Sequence, residues 1–173
     1  SKIGLPAVRT GIVVASEEMI RLLSSINAVI SLATSGIGQT LVAPLFKNGE
    51  ITRLSTGIVR PFYKERRDAF ITALDRIFGA AGVDYRLHEC QGGFFVWLWF
   101  PRLAGTATAL YAALKGRGVY VTPGESFFTG PSPAELAAWP HRRQCLRLNY
   151  ADTRGDIERG LAIIAEEVVR DQR

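Results

Sequence analysis

The chain has 173 residues, 47% of them hydrophobic and 21% charged, which is typical of a globular protein and excludes an intrinsically disordered chain. It contains no uninterrupted apolar run of about 18 residues, so neither a membrane-spanning helix nor a membrane partner is expected. The net charge is +5, but the basic residues are spread along the chain, which favours a solvated basic surface over a nucleic-acid interface.

Apolar patterning predicts helices and one strand in the first half of the chain. The run Gly-Ile-Val-Val-Ala at 11–15 is typical of a buried strand, which needs a partner either in a later sheet or in polypeptide outside these residues. Ser16 followed by two glutamates is a helix N-cap signature, and it predicts a helix over about 17–30. Further helices are expected over 39–46 and 51–80, the second with a kink near Pro61.

After Gly82 the pattern alternates between short apolar strands and helices. Strands are predicted over 85–89, 94–100, 119–122 and 145–150. Helices are predicted over 106–115 and 156–170, with a loop and a short helical piece between 130 and 140. The fold class is therefore α/β, with an α+β second half.

The two cysteines, Cys90 and Cys145, are far apart and have no Cys-x-x-Cys spacing. A metal site and a disulfide framework are therefore not expected. We expect both cysteines to be reduced thiols in a cytoplasmic protein.

Lys2 precedes a loop of small residues, and Arg9 follows seven residues later at the entry to the first apolar run. A lysine amine of lowered pKa can form a Schiff base with a carbonyl cofactor, and a neighbouring guanidinium can bind a phosphate. The alternative for Lys2 is an ordinary solvated charge.

Arg147 lies in the predicted strand Cys-Leu-Arg-Leu-Asn-Tyr at 145–150. Strand alternation puts the two leucines and the tyrosine on one face, which we expect to be core. Cys145, Arg147 and Asn149 share the other face. A guanidinium there needs an anionic partner if it is covered, and the alternative is an edge-strand arginine that faces water.

Five segments, in this order, resemble the C-terminal half of a fold-type I pyridoxal-phosphate-dependent aminotransferase of class I/II. They are Ser-Lys-x5-Val-Arg-x-Gly at 1–11, Arg-Arg-Asp at 66–68, Gly-Gly-Phe-Phe-Val-Trp at 92–97, Gly-Val-Tyr-Val-x-Pro-Gly at 118–124, and Leu-Arg-Leu-Asn-Tyr-Ala at 146–151. Each alone is weakly specific, whereas five in register are a strong signal. The segments 30–33, 59–63, 95–100 and 139–150 are similar to a branch of that family that exchanges amino groups between valine and pyruvate.

The resemblance implies a role for each candidate site residue. Lys2 would bind pyridoxal 5′-phosphate as a Schiff base and then move the proton between the substrate Cα and the cofactor. Arg9 would bind the cofactor phosphate. Arg147 would bind the substrate α-carboxylate, and Asn149 on the same strand face would support it. The reaction would be ping-pong amino transfer between valine or alanine and a 2-oxo acid such as pyruvate.

The resemblance also implies an organisation. Residues 1–55 would be the C-terminal strip of a large cofactor-binding domain, 56–82 an interdomain helix, and 83–173 a small domain with an antiparallel sheet covered by helices. Residues 34–38 fall where the family makes dimer contacts, so a homodimer is expected. The family's glycine-rich phosphate loop, its ring-stacking aromatic residue and its pyridine-binding aspartate have no counterpart in these 173 residues. We therefore expect these residues alone not to catalyse transamination.

Three other readings stay open. The chain is also compatible with the effector-sensing, aminotransferase-like domain of a transcription regulator, fused to a winged-helix DNA-binding domain. It is compatible with a related pyridoxal-phosphate enzyme that has another substrate, such as a lyase, and with an inert relative that shares only ancestry.

Overall fold

The computed structural model describes residues 11–32, 36–128, 132, 134–135 and 138–172. The boundary between two compact units falls between Pro61 and Phe62. The three-part division at residues 55 and 82 stays a prediction.

The first unit contains helices α1 (Glu17–Ser31), α2 (Ile37–Lys47) and α3 (Glu50–Leu54). The predicted N-cap is confirmed, because the Ser16 side chain accepts a hydrogen bond from the Met19 amide at 3.4 Å. The strand predicted over 11–15 does not join a sheet of the described residues, and the alternative of a partner outside these residues stays a prediction. These residues have no regular secondary structure and Val14 is 94% exposed. A strand is held by pairing, and none of the described strands pairs with them.

The single helix predicted over 51–80 is interrupted. A π-helical turn, Ser55–Val59, separates α3 from helix α4 (Arg60–Ala81). Pro61 has no N–H to donate to the carbonyl of Gly57 four residues earlier, so regular α-helical bonding fails at this point. The predicted irregularity therefore occurs, as a widened turn just before the proline.

The second unit contains a four-stranded sheet of β1 (Arg86–Leu87), β2 (Phe95–Trp99), β3 (Thr122–Pro123) and β4 (Cys145–Asn149). The spatial order is β1-β2-β4-β3, and each neighbouring pair is antiparallel, as predicted. In the register, Arg147 lies opposite Trp97 on one side and Thr122 on the other. The outer strands, β1 and β3, are shorter than their apolar patterns indicated.

The core lies between one face of this sheet and three helices: α4, α5 (Ala107–Gly116) and α6 (Arg154–Asp171). The alternation of β2 and β4 supplies Val96, Leu98, Leu146 and Leu148 to this face. The largest fully buried helix side chains are Leu74 and Phe78 of α4, Leu114 of α5, and Leu161, Ile164 and Val168 of α6. The result is an α/β chain with an α+β C-terminal part, which confirms the predicted fold class.

None of the helices in the described part of the chain is both long enough and apolar enough to cross a bilayer. The longest of them, α4 with 22 residues, carries charged side chains at successive positions from 64 to 68.

Candidate functional site

The candidate site lies on the sheet face opposite the helices. Alternation along β2 presents Phe95, Trp97 and Trp99 on this face, and alternation along β4 presents Cys145, Arg147 and Asn149. Two 3₁₀ turns, Gly124–Phe127 and Pro140–Arg143, add further side chains. Arg147 is therefore a part-buried cation among aromatic rings.

Two rings contact the Arg147 guanidinium. Its Cζ lies 4.2 Å from the centroid of the Phe95 ring and 4.7 Å from that of the Phe127 ring. Phe95 is the diagonal neighbour of Arg147 across the β2–β4 pair, a distance that long and aromatic side chains can bridge. The negative faces of aromatic rings attract a cation at these separations.

The hydrogen bonding of Arg147 is incomplete. Its Nη2 donates to Thr122 Oγ1 at 3.4 Å, and its Nε is buried without an acceptor. Within residues 11–32, 36–128, 132, 134–135 and 138–172, no carboxylate forms an ion pair with it. Covered donors of this kind are costly unless an anion completes them, and a carboxylate matches the geometry of a guanidinium edge.

Asn149 lies on the same strand face and is exposed. Its Oδ1 accepts a hydrogen bond from the Ala151 amide at 2.7 Å, which stabilises the turn that follows β4. This bond uses the amide oxygen and leaves the amide NH₂ as a donor. The predicted support of Arg147 by Asn149 stays a prediction.

Further aromatic rings extend from Phe127. Trp97 meets Phe127 edge to face, with ring centroids 5.3 Å apart, and Phe128 meets Trp139 in the same way at 4.9 Å. Edge-to-face pairs of this kind contribute about 0.5–1.5 kcal/mol beyond the area they bury. The side chain of Phe127 therefore contacts Trp97 as well as Arg147.

Cys145 shares the face but is not a nucleophile. It is fully buried, and burial raises the pKa of its thiol to about 11. The thiol donates to the His141 carbonyl oxygen at 3.1 Å. A thiol that stays protonated at neutral pH is a poor nucleophile, so its contribution here is packing.

Lys2 and Arg9 lie outside the described residues, as does part of the segment 34–38. The chemistry of these two side chains fits the cofactor that the resemblance implies, because a primary amine binds an aldehyde and a guanidinium binds a phosphate.

Sequence reasoning identified Arg147 but missed its neighbours. Phe95 and Thr122 fall in predicted strands without a role at the site, and no role is predicted for Phe127. A signal was available: once β2 and β4 are paired, the period of two puts Phe95 on the same face as Arg147. For Phe127 no local pattern exists, since its contact depends on how a loop folds back over the sheet.

Comparison with known proteins finds one matching family model and similar aminotransferases. A family model described as aminotransferase class I and II matches residues 2–164. The valine–pyruvate aminotransferase of Escherichia coli K12 is 39% identical over 170 residues, which cover 98% of this chain and 39% of that protein. The crystal structure of valine–pyruvate aminotransferase AvtA from Salmonella typhimurium LT2 superposes with a TM-score of 0.85 at 38% identity, over 99% of this chain and 42% of that one.

A regulator is also similar to the chain. The uncharacterised HTH-type transcriptional regulator YisV of Bacillus subtilis 168 is 30% identical over 171 residues, 98% of this chain and 32% of that protein. The chain thus spans about two fifths of the length of the two aminotransferases, 39% and 42%, and about a third of the regulator.

Proposed function

Since the chain belongs to the class I and II aminotransferases, we propose that the protein transfers amino groups between valine or alanine and 2-oxo acids such as pyruvate. The identity of 39% to the E. coli valine–pyruvate aminotransferase supports this choice of substrates. Because the chain spans only part of that relative's length, the activity is proposed for the full-length product of the gene that encodes these residues.

The proposal depends above all on the partial burial and incomplete hydrogen bonding of Arg147. Arg147 is a part-buried cation with a buried, unpartnered Nε and no carboxylate partner in the described part of the chain. A substrate α-carboxylate supplies the missing acceptor and forms a charge-assisted hydrogen bond. Anchoring the carboxylate at one fixed point also orients the substrate Cα, which is the reacting atom.

The proposal also assigns roles to the remaining site residues, Lys2, Arg9 and Asn149. Bound pyridoxal phosphate supplies the electron sink that makes the Cα–H bond of an amino acid acidic. Lys2 would hold the cofactor aldehyde, and its released amine would accept the Cα proton and deliver it to C4′, the cofactor carbon on the other side of the substrate nitrogen. Arg9 binds the cofactor phosphate. Asn149 supports the carboxylate-bound arginine.

The test is direct. The full-length gene product, supplied with pyridoxal phosphate, valine and pyruvate, is expected to form alanine and 3-methyl-2-oxobutanoate with ping-pong kinetics. Arg147→Lys keeps the charge but loses the planar fork, so we expect the KM for valine to rise by about tenfold or more. If valine, alanine and pyruvate all fail as substrates while another amino acid is converted, the proposed specificity is wrong.

A separate part of the proposal concerns the activity of the 173 residues alone. The resemblance assigns further cofactor contacts, including the pyridine-binding aspartate, to parts of the family fold that these residues do not span. We therefore expect the isolated chain to form no alanine from valine and pyruvate when pyridoxal phosphate is added. Alanine formation at the rate of the full-length product would contradict this expectation.

A regulatory role is the second candidate, and the 30% identity to the B. subtilis regulator favours it. In that case the full-length product carries a DNA-binding domain, shifts a DNA fragment from its own promoter, and does not turn over valine with pyruvate. Amino transfer without DNA binding would exclude it.

We also propose a homodimer in the cytoplasm, as the resemblance implies. In this proposal the segment 34–38, of which 36–38 lie in the described part, would lie at the subunit contact. Light scattering of the full-length product measures the mass, and a monomer at micromolar concentration would contradict the proposal.

A further inference from the structure

We propose that Phe95 and Phe127 are positioning residues that fix the Arg147 guanidinium in the orientation in which it binds a carboxylate. We call these two rings the aromatic clamp. The proposal rests on the proposed function, because it names residues that tune the substrate affinity of the same site.

The aromatic clamp restrains the Arg147 side chain, which has few hydrogen bonds of its own. Only one donor, Nη2, has an acceptor among the described residues, and that bond to Thr122 Oγ1 is long at 3.4 Å. One weak bond cannot fix a side chain with four rotatable torsions. The two rings, 4.2 and 4.7 Å from Cζ, provide the remaining contacts.

Fixing the guanidinium before the ligand arrives raises affinity. A free arginine side chain loses rotamer entropy when it is immobilised. If the rings have already confined it, binding a carboxylate carries less of this cost. The rings contact Cζ but supply no hydrogen-bond acceptor, so Nε stays without one.

The clamp is itself held in place. Phe95 is the first residue of β2 and pairs with Asn149 in the sheet. Phe127 ends the 3₁₀ turn Gly124–Phe127 and is braced edge-on by Trp97. Both rings are partly exposed, 39% for Phe95 and 43% for Phe127. Neither ring is part of the buried core, so replacing either phenylalanine by leucine is compatible with folding.

The test compares variants of the full-length, cofactor-loaded product. In Phe127→Leu and Phe95→Leu we expect the KM for valine to rise about tenfold, the factor that corresponds to about 1.4 kcal/mol. The kcat should change by less than about twofold, since the clamp acts on ground-state and transition-state binding alike. Phe127→Tyr keeps the ring and should restore the wild-type KM.

The chain offers a matched control. Phe62 also lies against an arginine, with Arg66 Cζ 4.6 Å from its ring centroid, and it is 47% exposed. Phe62→Leu therefore removes a ring of the same kind and exposure, and it should leave the KM unchanged. A KM that rises equally in Phe62→Leu, or stays unchanged in Phe127→Leu, would overturn the clamp.

A second readout does not depend on turnover. Phenylglyoxal labels accessible arginines, and peptide mass spectrometry reports the extent at Arg147. Isovalerate, which has the carbon skeleton of valine without its amine, should protect Arg147 in the wild type. Phe127→Leu should need about tenfold more isovalerate for the same protection, in line with the KM.

The two readouts separate the clamp from the proposed function. Shifted protection in a protein that transfers no amino group would support the clamp and refute the function. Normal turnover with equal protection in wild type and Phe127→Leu would refute the clamp alone. No turnover and no protection of Arg147 by isovalerate would refute both.

Discussion

Gly124 lies directly against the backbone of Cys145. A Cβ atom at position 124 would come within 2.8 Å of both the Cys145 Cβ and the Cys145 carbonyl oxygen, and within 3.0 Å of the Arg142 carbonyl oxygen. Two of these three atoms belong to backbone and cannot rotate away. This contact therefore sets how closely the turn Gly124–Phe127 approaches β4, two residues from Arg147.

Gly124→Ala is the first prediction. The added methyl group must push the turn off the strand, so we expect a loss of about 1–3 kcal/mol in the free energy of unfolding. Because Phe127 moves with the turn, the KM for valine should also rise. Urea denaturation and steady-state kinetics of the full-length product measure the two effects.

Gly92→Ala is the matched control for this substitution. A Cβ at position 92 meets no atom within 4 Å, and the backbone there does not need a positive φ. Its stability should change by less than about 0.5 kcal/mol. Equal destabilisation by the two substitutions would show that the close approach at Gly124 is not the cause.

Asp171 joins the end of α6 to the loop before α5, which gives a second prediction. Its carboxylate accepts hydrogen bonds from the Ala104 amide at 2.7 Å and from the Gly105 amide at 3.1 Å. Charge-assisted bonds of this type contribute about 1.5–3 kcal/mol each when shielded, and less at a partly exposed site. Asp171→Ala should therefore lower the free energy of unfolding by about 1–2 kcal/mol.

Asp171→Asn provides a graded comparison. The asparagine keeps one acceptor oxygen and loses the charge, so its destabilisation should lie between that of wild type and alanine. If thermal unfolding shows Asn and Ala to be equally destabilised, the neutral acceptor oxygen contributes nothing and the charge of the carboxylate holds the loop.

Features that neighbouring residues decide were predictable from the sequence. Features that depend on residues far apart in the chain were not. The start of α1 followed from Ser16 and its neighbours, because an N-cap is decided within four residues. The face of Arg147 followed from strand alternation, which is equally local. The strand expected at 11–15 does not form among the described residues, because pairing, not apolar composition, decides whether a strand forms.

The candidate site also contains both features decided locally and features decided by distant residues. Arg147 was found because a cation on a strand is visible in the sequence. Phe127 was missed because its contact with Arg147 joins residues 20 positions apart through the close approach of Gly124 to Cys145. Gly93, in the turn before β2, does not serve a close backbone approach. A Cβ there would meet nothing within 4 Å, and the glycine is instead required by a φ of 84°.

Alkaline pH gives a third prediction. Burial raises the pKa of the Cys145 thiol from its ordinary value of 9.0 to about 11. The folded protein therefore holds the proton more tightly than the unfolded chain does. This contribution to stability is fully present below pH 9 and is lost as the pH rises toward 11. Urea midpoints measured between pH 8 and pH 11 should fall, and they should fall less steeply in Cys145→Ala.

Iodoacetamide labelling checks the same residue independently. In the native protein at pH 8, Cys145 should stay unlabelled because it is fully buried, while the partly exposed Cys90 reacts. Labelling of both thiols at equal rates without denaturant would contradict the burial that raises the pKa.

The hydroxyl of Tyr150 gives the last prediction. It donates to the Gly93 carbonyl oxygen at 2.5 Å, and only 1% of the residue is exposed. Burial is the main cause that raises its pKa to about 12. Tyr150→Phe leaves a carbonyl in the turn before β2 without this donor, so the free energy of unfolding should fall by about 1–2 kcal/mol.

Tyr120→Phe is the control for that change, because Tyr120 is 73% exposed and its hydroxyl can bond to water. The turn at Gly93 leads directly into Phe95, one half of the aromatic clamp. If the bond to Tyr150 holds that turn in place, Tyr150→Phe should also raise the KM for valine, whereas Tyr120→Phe should not. A stability loss in Tyr150→Phe with an unchanged KM would mean that β2 itself, rather than the turn, fixes the position of Phe95.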